Sequence, residues 1–254
     1  MFRGVINSNG IPVKTDSKLT FPHHKTWPDS PLKRLGLLSG GFNGIKYNLN
    51  SRGYRCDEFI NVHNKKHILF SGCSITAGHS IDIENSWSFL LHNYINSIYE
   101  TSGYFNIAVS GQSISEIIFS IFKYCNEFGN PEEIYILYPD IDRESYITSS
   151  EKTKDYLIFN LHFLLEQYCI SNNIKLITSS WALDNNISKY LIENSPNNTL
   201  NNFKTFFNLD QEDFEKNINY DLQLVGNDGL HPGPGVHYSY FTFFKNIYSL
   251  INPE

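Results

Sequence analysis

The chain has 254 residues, of which 41% are hydrophobic, 15% aromatic and 18% charged. This composition excludes wholesale disorder, because a chain so rich in apolar residues buries enough surface to offset the entropy lost on folding. The net charge of -6 and the pI near 5.8 argue against nucleic acid as a partner, since there is no basic field to attract phosphates.

The beginning of the sequence and its cysteines predict a soluble chain with free thiols. No stretch of about 18 consecutive apolar residues occurs, and the first residues turn polar before a signal peptide's apolar segment develops. We therefore expect a protein without membrane insertion that is cytoplasmic or otherwise not exported by the Sec route. The cysteines, Cys56, Cys73, Cys125 and Cys169, lie far apart without a Cys-x-x-Cys pair, so we expect neither a disulfide scaffold nor a metal site.

From about His67 onward, short β-like segments alternate with helical patterns. Strands are predicted at 67–71, 105–109, 133–138 and 174–178, because these segments are short and rich in β-branched or aromatic residues. Helices are predicted from four apolar stripes. These are Trp87, Leu90, Leu91, Tyr94, Ile95 and Ile98; Ile114, Ile117, Ile118, Ile121, Phe122 and Cys125; Leu157, Leu161, Leu164, Leu165 and Tyr168, in a helix from Lys154 to about Ile170; and Tyr240, Phe243, Phe244, Ile247, Tyr248 and Ile251. Ser113 and Glu116 have the spacing of a capping box at the start of the second helix.

This alternation predicts an α/β fold, a three-layer α/β/α sandwich with a central parallel sheet of the flavodoxin-like type. Residues 1–66 do not follow the alternation and are interpreted as an irregular N-terminal extension packed on the core. Residues 67–254 form the main domain. Within it, the Asn-rich segment 181–226 is a candidate lid or specificity insert.

Polar and glycine residues follow the first two predicted strands. Ligands of open α/β sheets bind beyond the carboxyl ends of the strands, so these loops are candidate site segments. Ser74 lies on a glycine-flanked turn that we interpret as leading from strand to helix. Such a turn exposes the serine hydroxyl and directs its own backbone amide to the same place, as a nucleophile in acyl transfer requires. An ordinary serine N-cap of a helix is the alternative. Gly111 lets the backbone approach a ligand closely, and a plain turn glycine is its alternative.

Asp228 and His231 lie just before the last helix. Their three-residue spacing lets the carboxylate accept a hydrogen bond from His Nδ1 and leaves Nε2 free to take a proton from a serine. Taken alone, the pair also fits a surface turn with a capping aspartate.

Together these segments resemble the SGNH/GDSL hydrolase family, whose blocks occur in the same order. The resemblance extends upstream, because Asn50-Ser51-Arg52-Gly53-Tyr54-Arg55 and then Gly72-Cys73-Ser74-Ile75-Thr76-Ala77-Gly78 are similar to motifs of members with an N-terminal extension. The resemblance implies that Ser74 is the nucleophile and first oxyanion donor, and that Gly111 is the second donor. It also implies that His231 is the general base and Asp228 its orienting carboxylate.

The sequence departs from that family at two places. Cys73 replaces the aspartate before the nucleophile. No asparagine follows the third strand to act as a third oxyanion donor; Asp140 and Arg143 lie there instead and are candidate substrate-binding residues. An ionised Asp140 would oppose an oxyanion, whereas Arg143 could approach it or hold an acidic part of the substrate.

Three other side chains near these segments are interpreted as structural. His79 and His237 could each line the pocket, but a solvated or helix-start histidine is the favoured interpretation of both. Trp181 is expected to belong to the core rather than to a substrate wall.

The resemblance implies a serine esterase that removes a small acyl group, an O-acetyl on a carbohydrate, without metal or organic cofactor. The partner would be a small-molecule or glycan ester, and the oligomeric state stays open. Two alternatives remain, an O-acyltransferase that passes the acyl group to a sugar hydroxyl, and a glycan-binding or structural module on the same scaffold.

Overall fold

The computed structural model describes residues 45, 47–59, 65–139, 143, 151–181 and 231–252. Every predicted strand and helix is present. The strands are β1 (Ile68–Gly72), β2 (Phe105–Asn106), β3 (Glu133–Tyr138) and β4 (Lys175–Ser180), and the helices are α1 (Trp87–Ile98), α2 (Ile114–Phe128), α3 (Glu151–Ser171) and α4 (Pro234–Ile251). In the ranges just given, no helix is both long and apolar enough to cross a membrane.

The described strands form one parallel sheet in the order β2-β1-β3-β4. β1 pairs with β3 along its whole length, from Ile68 opposite Glu133 to Gly72 opposite Leu137. Both strands are fully buried, as is typical of parallel strands covered on two faces. The chain passes from β1 to β2 on one side and then to β3 on the other, so the strand order reverses beside β1.

The helices cover both faces of the sheet. α1 packs with α4, and α2 packs with α3. On the first face, Trp87 of α1 stacks on Phe244 of α4 with ring centroids 4.5 Å apart and meets Phe70 of β1 at 5.8 Å. On the opposite face, the Tyr138 hydroxyl of β3 is hydrogen bonded to His162 of α3 at 3.0 Å. The predicted three-layer sandwich is therefore confirmed.

Short sequence signals determine where the helices begin. The Ser113 hydroxyl accepts the Glu116 amide at 3.4 Å, and the Glu116 carboxylate accepts the Ser113 amide at 3.2 Å, which confirms the predicted capping box. Pro234 occupies the first turn of α4, where an N–H has no helical acceptor in any case. These local signals explain why the helix starts follow from the sequence.

β2 is shorter than the predicted 105–109. The Ile107 amide still donates to Phe70 of β1, but the next two amides are taken by side chains. Ala108 N–H donates to Oδ1 of Asn106, and Val109 N–H donates to Oε1 of Gln112, at 2.9 Å each. Strand pairing ends because these side-chain acceptors replace the neighbouring strand.

Some helix details also differ from the prediction. Ile98 and Leu164 were expected in buried stripes, yet they are 44% and 54% exposed. Ile98 is the last residue of α1, and Leu164 lies on the flank of the buried stripe that Leu161 and Leu165 form. α3 begins at Glu151, three residues earlier than expected.

Residues 47–59 of the N-terminal segment lie against α2 and β2. Phe59 contacts Phe105 with ring centroids 6.1 Å apart and Phe128 at 5.1 Å. The division at residue 66 stays a prediction. Beyond its first residue, the candidate lid at 181–226 lies outside the described residues and also stays a prediction.

Candidate active site

The carboxyl edge of the sheet beside β1 and β3 is the place where a ligand site is expected, because the strand order reverses there. The loop after β1 carries Ser74, and the loop after β2 carries Gly111. His231 lies directly before α4. The segment after β3 is described only at Pro139 and Arg143.

The loop after β1 is a compact turn built on a glycine. Gly72 has φ +154°, and a Cβ there would lie 2.2 Å from the Thr76 hydroxyl and 2.8 Å from the Leu137 carbonyl oxygen. The Ala77 amide donates to the Cys73 carbonyl, and the His79 amide donates to the Ser74 carbonyl at 2.9 Å. Only glycine fits at position 72 without displacing its neighbours, so this residue allows the tight turn.

Ser74 is buried in this turn, with 3% of its surface exposed. Its hydroxyl lies 3.9 Å from Sγ of Cys73, which is a weak contact. The turn does not lead directly into a helix as expected, because a short 3-10 turn at Ile83–Asn85 intervenes before α1. The sequence pattern alone did not reveal this intervening segment.

The Arg55 side chain of the N-terminal segment is hydrogen bonded to the backbone of the same loop. The side chain is 7% exposed and donates from Nη1 to the carbonyl oxygens of Gly78 at 2.5 Å and Ile81 at 3.0 Å. Its guanidinium lies 4.0 Å from the ring centroid of Tyr47, whose hydroxyl accepts the Ser80 amide at 2.6 Å. Burial lowers the pKa of Arg55. Arg55 is the last residue of the upstream motif, and the sequence alone predicts no role for it.

Asn50 shapes the turn that carries Arg55. Its Oδ1 accepts the amides of Arg52 at 3.0 Å and Tyr54 at 2.9 Å, and its Nδ2 donates to the Asp57 carbonyl at 3.0 Å. A side chain that bonds its own backbone in this way replaces secondary structure and fixes a turn. The upstream motif therefore has a structural reason, which is to direct an arginine under the Ser74 loop.

Two histidines meet at the site, one predicted and one missed. The rings of His79 and His231 are stacked, with centroids 4.2 Å apart and an interplanar angle of 30°. Nδ1 of His79 is hydrogen bonded to the Ser110 hydroxyl at 2.9 Å. His79 is 4% exposed, so its interpretation as a solvated or helix-start histidine was wrong. It lies in the turn after β1, outside any helix or strand, where no periodic sequence pattern indicates burial.

His237 was likewise expected to be solvated or at a helix start. It does lie in the first turn of α4, but it is fully buried. Its Nδ1 accepts the Trp87 amide at 3.3 Å, so its proton is on Nε2. Burial, Arg55 and His231 lower the pKa of His237 to about 3, in that order of importance. The imidazole is therefore neutral at ordinary pH and joins α4 to α1.

Gly111 lies in an open turn after β2. Its φ is +84°, and a Cβ built there would have no atom within 4 Å. The conformation therefore requires glycine for backbone reasons and not for space. The neighbouring Gln112 amide donates to Val109 and closes the turn ahead of the Ser113 cap. The predicted oxyanion role of Gly111 stays a prediction.

Of the residues predicted to act after β3 and in the Asp-x-x-His turn, the structure describes Arg143 and His231. Asp140 and Asp228 lie outside the described residues, so their predicted roles stay predictions. The guanidinium of Arg143 lies 5.8 Å from the ring centroid of Trp181. Trp181 is half-buried, and neither its Nε1 nor Nη1 of Arg143 has a hydrogen-bond partner among the described residues.

The four cysteines are free, as predicted, and Cys73 next to Ser74 is buried. Within the ranges that the structure describes, no three His, Cys, Asp or Glu side chains form a group that could hold a metal ion.

Comparison with known proteins gave matches among solved structures. One is TesA, at 14% identity and a TM-score of 0.49 over 73% of this chain and 99% of that one. Another is the psychrotrophic esterase EstA from Pseudoalteromonas sp., at 16% identity and 0.45 over 74% and 100%. A third is a member of the lipolytic protein G-D-S-L family from Veillonella parvula, at 14% identity and 0.43 over 72% and 97%. Neither a family profile nor a curated protein matches the sequence.

Proposed function

We propose that this protein is a serine-dependent ester hydrolase with Ser74 as its nucleophile and His231 as its general base. The observation that carries the proposal is the link between the loops. His79 is bonded through its amide to the Ser74 carbonyl and through its ring to Ser110, and the same ring stacks on His231. A serine loop, a glycine loop and an imidazole are thereby joined at one edge of the sheet, as acyl transfer requires.

The proposed reaction passes through an acyl-enzyme. Ser74 Oγ attacks the ester carbonyl while His231 takes the hydroxyl proton, and the resulting oxyanion accepts hydrogen bonds from the amides of Ser74 and Gly111. The C–O bond to the alcohol then breaks, and the alcohol leaves with the proton from His231. Water, deprotonated by His231, attacks the acyl group and releases the acid and the free serine. Asp228 would hold the His231 ring in the required tautomer.

A slow or specialised enzyme is the expected form of this activity. Asp140 occupies a position where the resemblance expects an asparagine donor after β3. Loss of one oxyanion donor costs about a hundred- to a thousandfold in rate, yet two amides still stabilise the charge. The same departure favours the second candidate, a glycan-binding or structural module without turnover.

The proposed substrate is a small acyl ester, an O-acetyl group on a carbohydrate, with Arg143 as a candidate contact for an acidic part. The burial of Ser74 supports a small acyl group, because a serine that is only 3% exposed leaves little room for a bulky one. The carbohydrate alcohol follows from the family resemblance alone.

Fluorophosphonate labelling tests the proposal, since the reagent reacts with an activated serine. The wild-type protein is expected to label and to hydrolyse p-nitrophenyl acetate, and Ser74→Ala should do neither. His231→Ala should lose most of both activities. Ser97→Ala, at an exposed position on α1, is the matched control and should behave as wild type. Unlabelled, inert wild-type protein would overturn the esterase and favour the binding module.

Product analysis separates the hydrolase from the O-acyltransferase. An acetylated oligosaccharide is incubated with and without a second, unacetylated acceptor sugar. Free acetate in equal amounts under both conditions supports the hydrolase. Acetyl transfer to the acceptor at the expense of acetate supports the transferase, because the same acyl-enzyme then reacts with a sugar hydroxyl instead of water.

A further inference from the structure

We infer that His79 is a positioning residue, which holds the His231 imidazole and the Ser110 loop against the loop of the nucleophile. This inference rests on the proposed function and adds to it a residue that the Ser-His-Asp arrangement does not contain. His79 touches all three loops through separate atoms, namely its amide, its Nδ1 and the face of its ring.

The backbone at His79 is held in a demanding conformation. Gly78 has φ +68° and Ser80 has φ +64°, so His79 lies between two left-handed residues. A serine rarely adopts that conformation and keeps it only where the surroundings impose it. Arg55 imposes it through the Gly78 carbonyl, and Tyr47 through the Ser80 amide. The strained turn directs the His79 ring towards Ser110 and His231.

The ring itself is a polar group in a buried place. At 4% exposure it needs a hydrogen-bond partner, and the Ser110 hydroxyl supplies one at 2.9 Å. That bond holds the plane of the His79 ring, and the His231 ring packs on its face with centroids 4.2 Å apart and an interplanar angle of 30°. Ser110 precedes Gly111, so the same bond also holds the turn that presents the second proposed oxyanion amide.

The stacked pair also explains why His79 is not a second base. Two imidazolium ions about 4 Å apart would repel each other. When His231 accepts the proton of Ser74, His79 must therefore stay neutral. Its hydrogen bond to the neutral Ser110 hydroxyl is compatible with that state.

Kinetic measurements on three variants test the positioning role. His79→Leu removes both the stack and the bond, His79→Phe keeps a flat ring without the bond, and Ser110→Ala removes only the bond. A base misplaced by about 1 Å costs about a hundredfold in rate. We therefore expect His79→Leu to lower kcat about a hundredfold with KM nearly unchanged. The kcat of His79→Phe should be about tenfold higher than that of His79→Leu.

A double variant checks that the two side chains act together. Because His79→Phe and Ser110→Ala remove the same bond, the combined variant should lose no more kcat than His79→Phe alone. His92→Leu is the matched control, since it replaces another buried histidine, bonded to Thr101, away from the three loops. Its kcat per folded molecule should equal that of wild type, whatever its melting temperature.

The outcomes separate this inference from the proposed function. Active wild-type protein with unchanged kcat in His79→Leu, or additive losses in the double variant, would overturn the positioning role alone. Wild-type protein that neither labels nor turns over an ester overturns the proposed function and the inference with it. If His79→Leu does not fold, His79→Phe, Ser110→Ala and their combination still decide the matter.

Discussion

Arg55 donates to the Gly78 carbonyl oxygen at 2.5 Å, across 23 positions of sequence. The contact joins the N-terminal segment to the loop that carries Ser74 and His79. A Cβ at Gly78 would lie 3.1 Å from the same Nη1 atom, so the glycine also makes room for the guanidinium. The site therefore depends on a segment that precedes the sheet in the sequence.

Replacement of Arg55 is expected to lower stability and activity together. Arg55→Lys keeps the charge but removes the planar guanidinium, which packs on the Tyr47 ring and donates from Nη1 to both carbonyl oxygens. Hydrogen bonds to charged groups contribute about 1.5–3 kcal/mol. We expect a loss of about 2 kcal/mol in urea unfolding and slower fluorophosphonate labelling of the folded protein. Arg52→Lys is the control, because Arg52 is an exposed residue 3.5 Å from Glu127. Equal effects of the two variants would contradict the supporting role of Arg55.

Gly111→Ala tests the oxyanion turn against a second glycine with a similar positive φ. Gly129, at the end of α2, has φ +88° and also no atom within 4 Å of a built Cβ. Both alanine variants should lose about 1–3 kcal/mol, because a positive φ strains a residue that carries a side chain. Only Gly111→Ala should lower kcat, since only its amide is proposed to face the oxyanion. A comparable kcat loss in Gly129→Ala would show that the effect is one of stability.

His67 should make the fold sensitive to acid. It is hydrogen bonded to the Tyr124 hydroxyl at 2.7 Å, and burial lowers the pKa of His67 to about 4. Between pH values of about 6.5 and about 4, the unfolded chain binds a proton at His67 that the folded chain does not bind. The free energy of unfolding therefore falls with decreasing pH by up to about 1.4 kcal/mol per pH unit. Below the folded pKa this group causes no further loss.

His67→Gln should reduce the slope of the free energy of unfolding against pH by the contribution of one bound proton. Urea unfolding measured from about pH 7 to about pH 4 gives the slope directly. Tyr124→Phe keeps the imidazole while removing the hydroxyl, and it should retain the wild-type slope at a lower overall stability. An unchanged slope in His67→Gln would contradict the assignment.

The buried ion pair at the opposite edge of the sheet should be costly to break. Nζ of Lys66 lies 2.8 Å from Oε1 of Glu133, and the Tyr135 hydroxyl donates to Oε2 at 2.7 Å. Glu133→Gln leaves the ammonium without its counter-charge, which typically costs about 3–5 kcal/mol. Glu132→Gln, at the exposed neighbouring position, should change stability by less than about 0.5 kcal/mol. Thermal unfolding of the two variants compares them directly.

Much of the fold was predictable because its signals are local. Strand β3 has the predicted limits, and the Ser113 capping box has the predicted bonds. Helix stripes and caps depend on residues three or four positions apart, whose spacing the backbone geometry dictates. β2 was predicted too long because side chains of its own loop, Asn106 and Gln112, compete for the amides that would continue the ladder.

The sequence by itself determined the alternation of strands and helices, and the motif order that singled out Ser74, Gly111 and His231. Only the tertiary structure decided that His79 is buried against His231 and that Arg55 lies under the Ser74 loop. The physical reason is chain separation. Periodicity reports which residues share one face of one element, whereas a contact between positions 79 and 231 forms only after sheet and helices pack and bring distant loops to the same edge.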